Sequence, residues 1–156
     1  MASLDLTSPM LRLSFLPNTL AVVQLPPEQS LPASLVAAIA AAPNADGSAG
    51  LISITRTATE TSLILPWSVH QDLIGRGSGT SEPGVSVSGP WTAIRIAGPM
   101  DFSLSGILNE MSTPLRMAKV PIFAVSTFDT DYVLADQKDK DAAREALESA
   151  GWQFVA

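Results

Sequence analysis

The segment that decides the fold is residues 91–155, which read WTAIRIAGPMDFSLSGILNEMSTPLRMAKVPIFAVSTFDTDYVLADQKDKDAAREALESAGWQFV. Its hydrophobic spacing alternates between the two-residue period of a strand and the longer period of a helix. The second helical pattern ends at Gly151, a residue typical of the position just after a helix. The predicted order is strand, helix, strand, strand, helix, strand, at residues 91–97, 103–119, 122–127, 132–135, 139–150 and 152–155.

A β-α-β-β-α-β order is typical of a ferredoxin-like α+β sandwich, in which an antiparallel four-stranded sheet carries both helices on one face. The first half of the chain repeats this order in a less complete form. A hairpin is predicted from residues 10–16 and 19–25, and a second one from residues 51–56 and 61–65. Between the hairpins lies a predicted helix, residues 33–42, whose buried stripe would be Leu35, Val36 and Ile39.

We therefore predict two ferredoxin-like (βαββαβ) units, of which the first is abbreviated because only a short helix, residues 67–74, follows its second hairpin. The first unit would span residues 11–74 and the second residues 91–156. Residues 75–90 are rich in glycine and serine and predict a linker.

Composition excludes several classes of protein. The chain has 156 residues, 46% of them hydrophobic, with no cysteine and a net charge of -6. No cysteine means no disulfide framework, and the longest nearly uncharged segment, residues 31–44, is too short to span a bilayer. The N-terminus lacks the basic region of a secretory signal, so we expect a cytoplasmic protein. Only nine Lys and Arg residues are scattered along the chain, which argues against a nucleic-acid partner.

Few residues suit catalysis or metal binding. His70 is the single histidine, and a serine nucleophile would need it as the base. Residues 102–106, FSLSG, lack the first glycine of a nucleophile elbow. We expect no catalytic residue, no metal site and no cofactor.

Two places could bind a ligand. Asp129 and Asp131 form a carboxylate pair just after a strand, and the alternatives are a turn-forming role or acid/base chemistry. Residues 98–103 lead into the predicted helix, whose free backbone N–H groups would attract an anion. The alternative there is simple capping by Asp101 or Ser103.

Three stretches resemble the tandem ACT-domain proteins related to the cellular arginine sensors and to the regulatory domains of aspartate kinases. They are residues 53–57 (SITRT), 98–108 (GPMDFSLSGIL) and 122–134 (IFAVSTFDTDYVL). The resemblance implies a non-catalytic amino-acid sensor or regulatory protein with its ligand held between ACT units. It also implies pairing of units, including a homodimer, and a protein partner that the sensor regulates. An interaction or scaffold module that has lost the ligand is the alternative.

The resemblance also implies the ligand-binding residues. Backbone amides near Ser105 to Ile107 would hold the ligand carboxylate, and Gly106 would allow a close approach. Either Asp131 or the backbone carbonyls beside Thr127 and Thr130 would take an ammonium or guanidinium group. The arginine sensors have an acidic residue where Leu104 stands, so arginine, lysine and a smaller or apolar amino acid all stay open. The complete implied set is Asp101, Phe102, Ser103, Leu104, Ser105, Gly106, Ile107, Thr127, Phe128, Asp129, Thr130 and Asp131.

Overall fold

The computed structural model describes residues 4–41, 50–73, 84–100 and 105–155. Its strands are β1 (Leu13–Phe15), β2 (Leu20–Leu25), β3 (Ser53–Arg56), β4 (Thr61–Pro66), β5 (Ser86–Ile96), β6 (Ile122–Ser126) and β7 (Asp131–Asp136). Its α-helices are α1 (Ala33–Ala40), α2 (Trp67–Leu73), α3 (Ile107–Met117) and α4 (Lys140–Ser149). In these four ranges, no helix combines the length and the apolar character that a membrane crossing requires.

The chain divides into two compact units. The continuous unit is Pro17–Trp91, and the split unit combines Met1–Leu16 with Thr92–Ala156. This division differs from the one predicted from sequence, because residues 11–16 join the second unit. Of the predicted linker, residues 75–83 lie outside the described part of the chain, whereas residues 86–90 belong to β5.

The continuous unit has the strand order β3-β4-β2-β5, and all its strand pairs are antiparallel. The predicted β3–β4 hairpin is confirmed, with Ile54 opposite Leu63. All six elements are present, and the described parts of α1 and α2 have eight and seven residues. The sheet and helices enclose a small core, formed by Ala21, Val23, Leu25, Leu35, Leu63 and Leu65.

The predicted buried stripe of α1 is wrong in two of its three positions. Leu35 is buried, but Val36 and Ile39 are 50% and 44% exposed. Among the described α1 side chains, Leu35 is the one that belongs to the core.

The split unit has the strand order β6-β7-β5-β1. The predicted hairpin between residues 10–16 and 19–25 is wrong, because β1 pairs with β5, with Leu13 opposite Ile96. This pairing brings the apolar side chains of β1 into one core with those of β5. The predicted last strand is reduced to a single parallel bridge between Phe154 and Leu13, so it completes the sheet of its own unit.

Helices α3 and α4 cover one face of the split unit. Ile107, Met111 and Leu115 recur every four residues along α3 and are buried, as are Ala143 and Leu147 of α4, which is the spacing of a core-facing helical stripe. The fold is thus α+β with two ferredoxin-like units, as the sequence predicts.

Candidate functional site

A cavity of about 300 Å³ lies in the split unit, between the chain that enters α3 and the turn that joins β6 to β7. Its volume is at the lower end of the range for small-molecule sites. The described residues that line it are Met100, Gly106, Ile107, Leu108, Asn109, Ser126, Thr127, Phe128, Asp129, Thr130 and Asp131.

Two threonines close the β6–β7 turn. The Thr127 N–H donates to the Thr130 carbonyl at 2.8 Å, and the Thr130 N–H donates to the Thr127 hydroxyl at 3.3 Å. The Thr127 hydroxyl in turn donates to the Thr130 carbonyl at 3.0 Å. Because the threonines hold the turn, it does not need the neighbouring carboxylates for its shape. Its tip presents Phe128, 80% exposed, to solvent.

The same turn is anchored to the end of β5. Thr130 is only 5% exposed, and its hydroxyl donates to the Ile96 carbonyl at 2.6 Å. The Met100 N–H donates to the Asp129 carbonyl at 2.8 Å. Gly98 lies so close that a Cβ there would be 2.9 Å from the Asp129 carbonyl oxygen. The turn is therefore anchored to Gly98 and Met100, which follow β5.

Replacing Thr130 by valine should lower the free energy of unfolding by about 1–3 kcal/mol, because the buried Ile96 carbonyl would lose its hydroxyl donor. Urea unfolding followed by circular dichroism measures the loss. Thr130→Ser keeps the hydroxyl and is the matched control, so it should recover most of the stability. Equal losses in the two variants would show that the hydroxyl is not what anchors the turn.

Among the described residues, no side chain caps the start of α3, where Gly106 occupies the N-cap position with φ 85°. Asp101 and Ser103, the alternative caps predicted from the sequence, lie outside the described residues. The first intrahelical bond is donated by the Glu110 N–H to the Gly106 carbonyl at 2.9 Å. The N–H groups of Ile107, Leu108 and Asn109 precede that bond and have no partner inside the helix. This end of the helix also carries the positive pole of its dipole, which favours an anion.

Negative charge lies across the cavity from that helix end. Asp129 is exposed and Asp131 half-buried, and both line the cavity. Within the described ranges, neither carboxylate makes a hydrogen bond or an ion pair. The residues found to line the cavity include no lysine or arginine. The site therefore combines donors for an anionic group with two acceptors for a cationic one.

The structure brings together most of the described residues that the resemblance implies. Gly106, Ile107 and residues 127–131 line the cavity, whereas Ser105 is exposed and is not part of the lining. The other four implied residues, Asp101, Phe102, Ser103 and Leu104, lie outside the described residues.

Sequence reasoning missed four lining residues, Met100, Leu108, Asn109 and Ser126. The helix was predicted to begin at residue 103, which placed Asn109 in its interior. The described helix begins at Ile107, so Asn109 stands in the first turn beside the cavity. Ser126 is the last residue of β6. Ligand-binding residues often lie where strands end, and this tendency could have indicated Ser126.

Metal-ligating side chains do not gather in the described ranges, where no group of three His, Cys, Asp or Glu residues is close enough to hold an ion. His70 lies in α2 of the continuous unit, with its ring 4.7 Å from that of Trp67. Its Nδ1 atom is buried and has no hydrogen-bond partner.

Part of the chain matches a known protein family. Residues 86–149 match the family described as the ACT domain. The fold is ACT-like. The matched segment runs from β5 through α4 and so contains every residue that lines the cavity of the ACT-like split unit.

Solved structures extend the ACT-like similarity to almost the whole chain. Protein Atu0741 from Agrobacterium tumefaciens is similar with a TM-score of 0.69 and 28% identity, covering 95% of this chain and 94% of that one. The regulatory subunit of aspartate kinase from Thermus flavus has a TM-score of 0.61 and 14% identity, covering 89% and 96%. Aspartate kinase from Synechocystis has a TM-score of 0.63 and 16% identity, covering 98% of this chain and 29% of that one.

These similarities confirm the tandem ACT-like architecture that the sequence resemblance implied. The structures that share this fold include a separate regulatory subunit and part of a larger kinase. The predicted relation to the arginine sensors stays a prediction.

Proposed function

We propose that this protein is a non-catalytic sensor whose split unit binds a free basic amino acid, arginine or lysine, in the cavity between the α3 start and the β6–β7 turn. The observation that carries the proposal is that a helix start and the carboxylates of Asp129 and Asp131 meet around one small cavity, and that neither the helix start nor the carboxylates have a side-chain partner among the described residues. The ACT-like fold supports it, since ACT domains are in general regulatory modules that bind amino acids.

The chemistry of a basic amino acid complements each part of the cavity. Its α-carboxylate suits the N–H groups of Ile107, Leu108 and Asn109. Its ammonium and its cationic side chain suit the two carboxylates, which make stronger hydrogen bonds to charged donors than to neutral ones.

Acidic amino acids fit poorly by the same reasoning. Aspartate or glutamate would bring a second carboxylate towards Asp129 and Asp131, and the residues lining the cavity supply no cationic side chain to offset the repulsion. Selectivity for cationic over anionic ligands is therefore the distinctive expectation of this site.

Isothermal titration of the full chain with each of the twenty amino acids tests the proposal. Arginine or lysine should give the tightest binding, and aspartate and glutamate should give none at millimolar concentration. If a folded sample binds no amino acid at millimolar concentration, the proposal is refuted. That result would favour the alternative of a scaffold module without a ligand. The same alternative is favoured by Leu104, which stands where the arginine sensors have an acidic residue. Tightest binding of an acidic amino acid would refute the assigned roles of Asp129 and Asp131.

Signalling would follow from a ligand-induced shift in the populations of the protein's conformations. A ligand held between α3 and the β6–β7 turn stabilises the arrangement that binds it best, and a regulated protein partner would respond to that arrangement.

A further inference from the structure

A second cavity of the split unit lies at the C-terminal end of α3, where the chain turns into β6. Its volume is about 360 Å³, which is within the range for small-molecule sites. Helix α3 has 11 residues, so its two ends are about 16 Å apart along the helix axis, and no residue lines both cavities. The described residues that line this second cavity are Ser112, Arg116, Lys119, Val120, Pro121 and Ile122.

The second cavity carries positive charge in an otherwise acidic chain. The net charge of the chain is -6, yet residues 111–128 contain Arg116 and Lys119 and no Asp or Glu. Both side chains are exposed, and neither makes a hydrogen bond or an ion pair with another described residue. Asp136 follows the strand partner of Ile122, but its carboxylate is held by Lys138 at 3.1 Å. The cavity therefore offers two cationic donors to an anion from outside.

The end of α3 does not need these cations as caps. The Val120 N–H donates to the Leu115 carbonyl at 2.9 Å and the Lys119 N–H to the Arg116 carbonyl at 3.0 Å, the two backbone bonds of a Schellman ending. The helix dipole favours a cation here, and this alone is enough to explain Arg116.

Lys119 has a conformation that the helix dipole does not explain. Among the described residues, it is the one non-glycine residue with a positive φ, 59°. Glycine is usual at this position of a helix ending, because a Cβ there destabilises the backbone. A side chain kept at such a position indicates a use for it beyond the fold.

We propose that the second cavity binds a small organic phosphate, a phosphate monoester carried on an apolar body. A phosphate monoester has a charge of about -1.5 to -2 at pH 7, which two cations match and a single carboxylate does not. The guanidinium of Arg116 suits bidentate contact with phosphate oxygens, and the ammonium of Lys119 supplies a compact charge. Val120, Pro121 and Ile122 would contact the apolar body.

Ser112 can add a neutral donor to the phosphate. Its hydroxyl donates to the Asn109 carbonyl at 3.2 Å, and the same carbonyl accepts the Thr113 hydroxyl at 2.8 Å. Because Thr113 keeps that carbonyl satisfied, the Ser112 hydroxyl can turn to a ligand without leaving a lone acceptor. Ser112 and Arg116 are four residues apart on α3, so they share one face of the helix.

NMR titration of the full chain with phenyl phosphate, a phosphate monoester on an apolar ring, tests the proposal. At low ionic strength we expect a Kd of about 1 mM or below, with the largest amide shifts around Arg116 and Lys119. Added salt should weaken binding, because it screens exposed charges. Inorganic phosphate lacks the ring and benzoate has a single charge, so both should bind more weakly. An absence of shifts at roughly 10 mM phenyl phosphate, or tighter binding of benzoate, would overturn the proposal.

The double variant Arg116→Gln, Lys119→Gln should raise the Kd for phenyl phosphate about tenfold, the combined effect of two exposed charged contacts. Arg12→Gln, Arg95→Gln is the matched control, because it removes two charges from exposed positions outside the cavity and should leave the Kd unchanged. Equal losses in the two double variants would reveal a general effect of charge and would overturn the site. Shifts centred on Ile107–Asn109 would place the anion at the start of α3 and would overturn it as well.

Lys119→Gly separates a binding role from a structural one. Glycine adopts a positive φ readily, so this variant should raise the urea midpoint of unfolding while it weakens phenyl phosphate binding. Unchanged affinity, or a lower midpoint, would contradict the role assigned to Lys119. Asp131→Asn should leave phenyl phosphate binding unchanged, because Asp131 lines the first cavity and not the second, so this proposal and the amino-acid proposal fail independently.

Discussion

Replacing Gly98 by alanine should lower the free energy of unfolding by about 2–4 kcal/mol, the sum of a backbone penalty and a steric one. Gly98 has φ 65°, a conformation that costs a residue with a Cβ about 1–2 kcal/mol. The new Cβ would lie 2.9 Å from the Asp129 carbonyl oxygen and 3.2 Å from the Thr130 Cβ. Backbone atoms cannot rotate away, so the β6–β7 turn must move.

Gly106→Ala separates the two contributions. Gly106 also has a positive φ, 85°, but a Cβ there would meet no atom of the described residues within 4 Å. Urea unfolding of both variants should therefore show the smaller loss for Gly106→Ala. Equal losses would mean that the close approach of Gly98 to the turn does not affect stability.

The second large effect concerns ligand affinity. Asp131→Asn and Asp129→Asn should each weaken arginine or lysine binding by about 10–100-fold, the usual value of one hydrogen bond to a charged group. Neither carboxylate has a partner in the described structure, and the threonines hold the turn. The free energy of unfolding should therefore hardly change.

Glu145→Gln is the control for the loss of one negative charge. Glu145 is exposed on α4 and does not line the cavity, so titration calorimetry should give the native affinity. A comparable loss of affinity in Glu145→Gln would indicate a general effect of net charge rather than contact with the ligand. Native affinity in both aspartate variants would remove them from the site.

Local sequence patterns predict the elements that depend on local interactions. The β3–β4 hairpin follows from two strand patterns with a short connection, and α4 follows from its helix formers and from Gly151, which has φ 98°. The pairing of β1 with β5 is different, because alternation in residues 10–16 shows that one side is buried but not which strand covers it. The prediction paired β1 with β2, the nearest strand in sequence, and this pairing is wrong.

The site, like the fold, was predictable only where local sequence is sufficient. The resemblance pointed to the turn at residues 127–131 and to Gly106, but it could not show that Thr127 closes the turn or that Thr130 is buried against Ile96. The Thr127–Thr130 bonds are local, but the Thr130–Ile96 bond joins residues 34 apart in sequence. These bonds hold the turn without the carboxylates of Asp129 and Asp131, which have no partner among the described residues.

The divided sequence of the split unit has a consequence for synthesis on the ribosome. The segment that ends at Leu16 is translated before its partners, which begin at Thr92, so its apolar residues must wait until the whole of Pro17–Trp91 has been translated. Leu11 and Leu13, fully or almost fully buried in the finished protein, are thus exposed on the nascent chain while the continuous unit folds. Chaperones that recognise short apolar segments would find a target there.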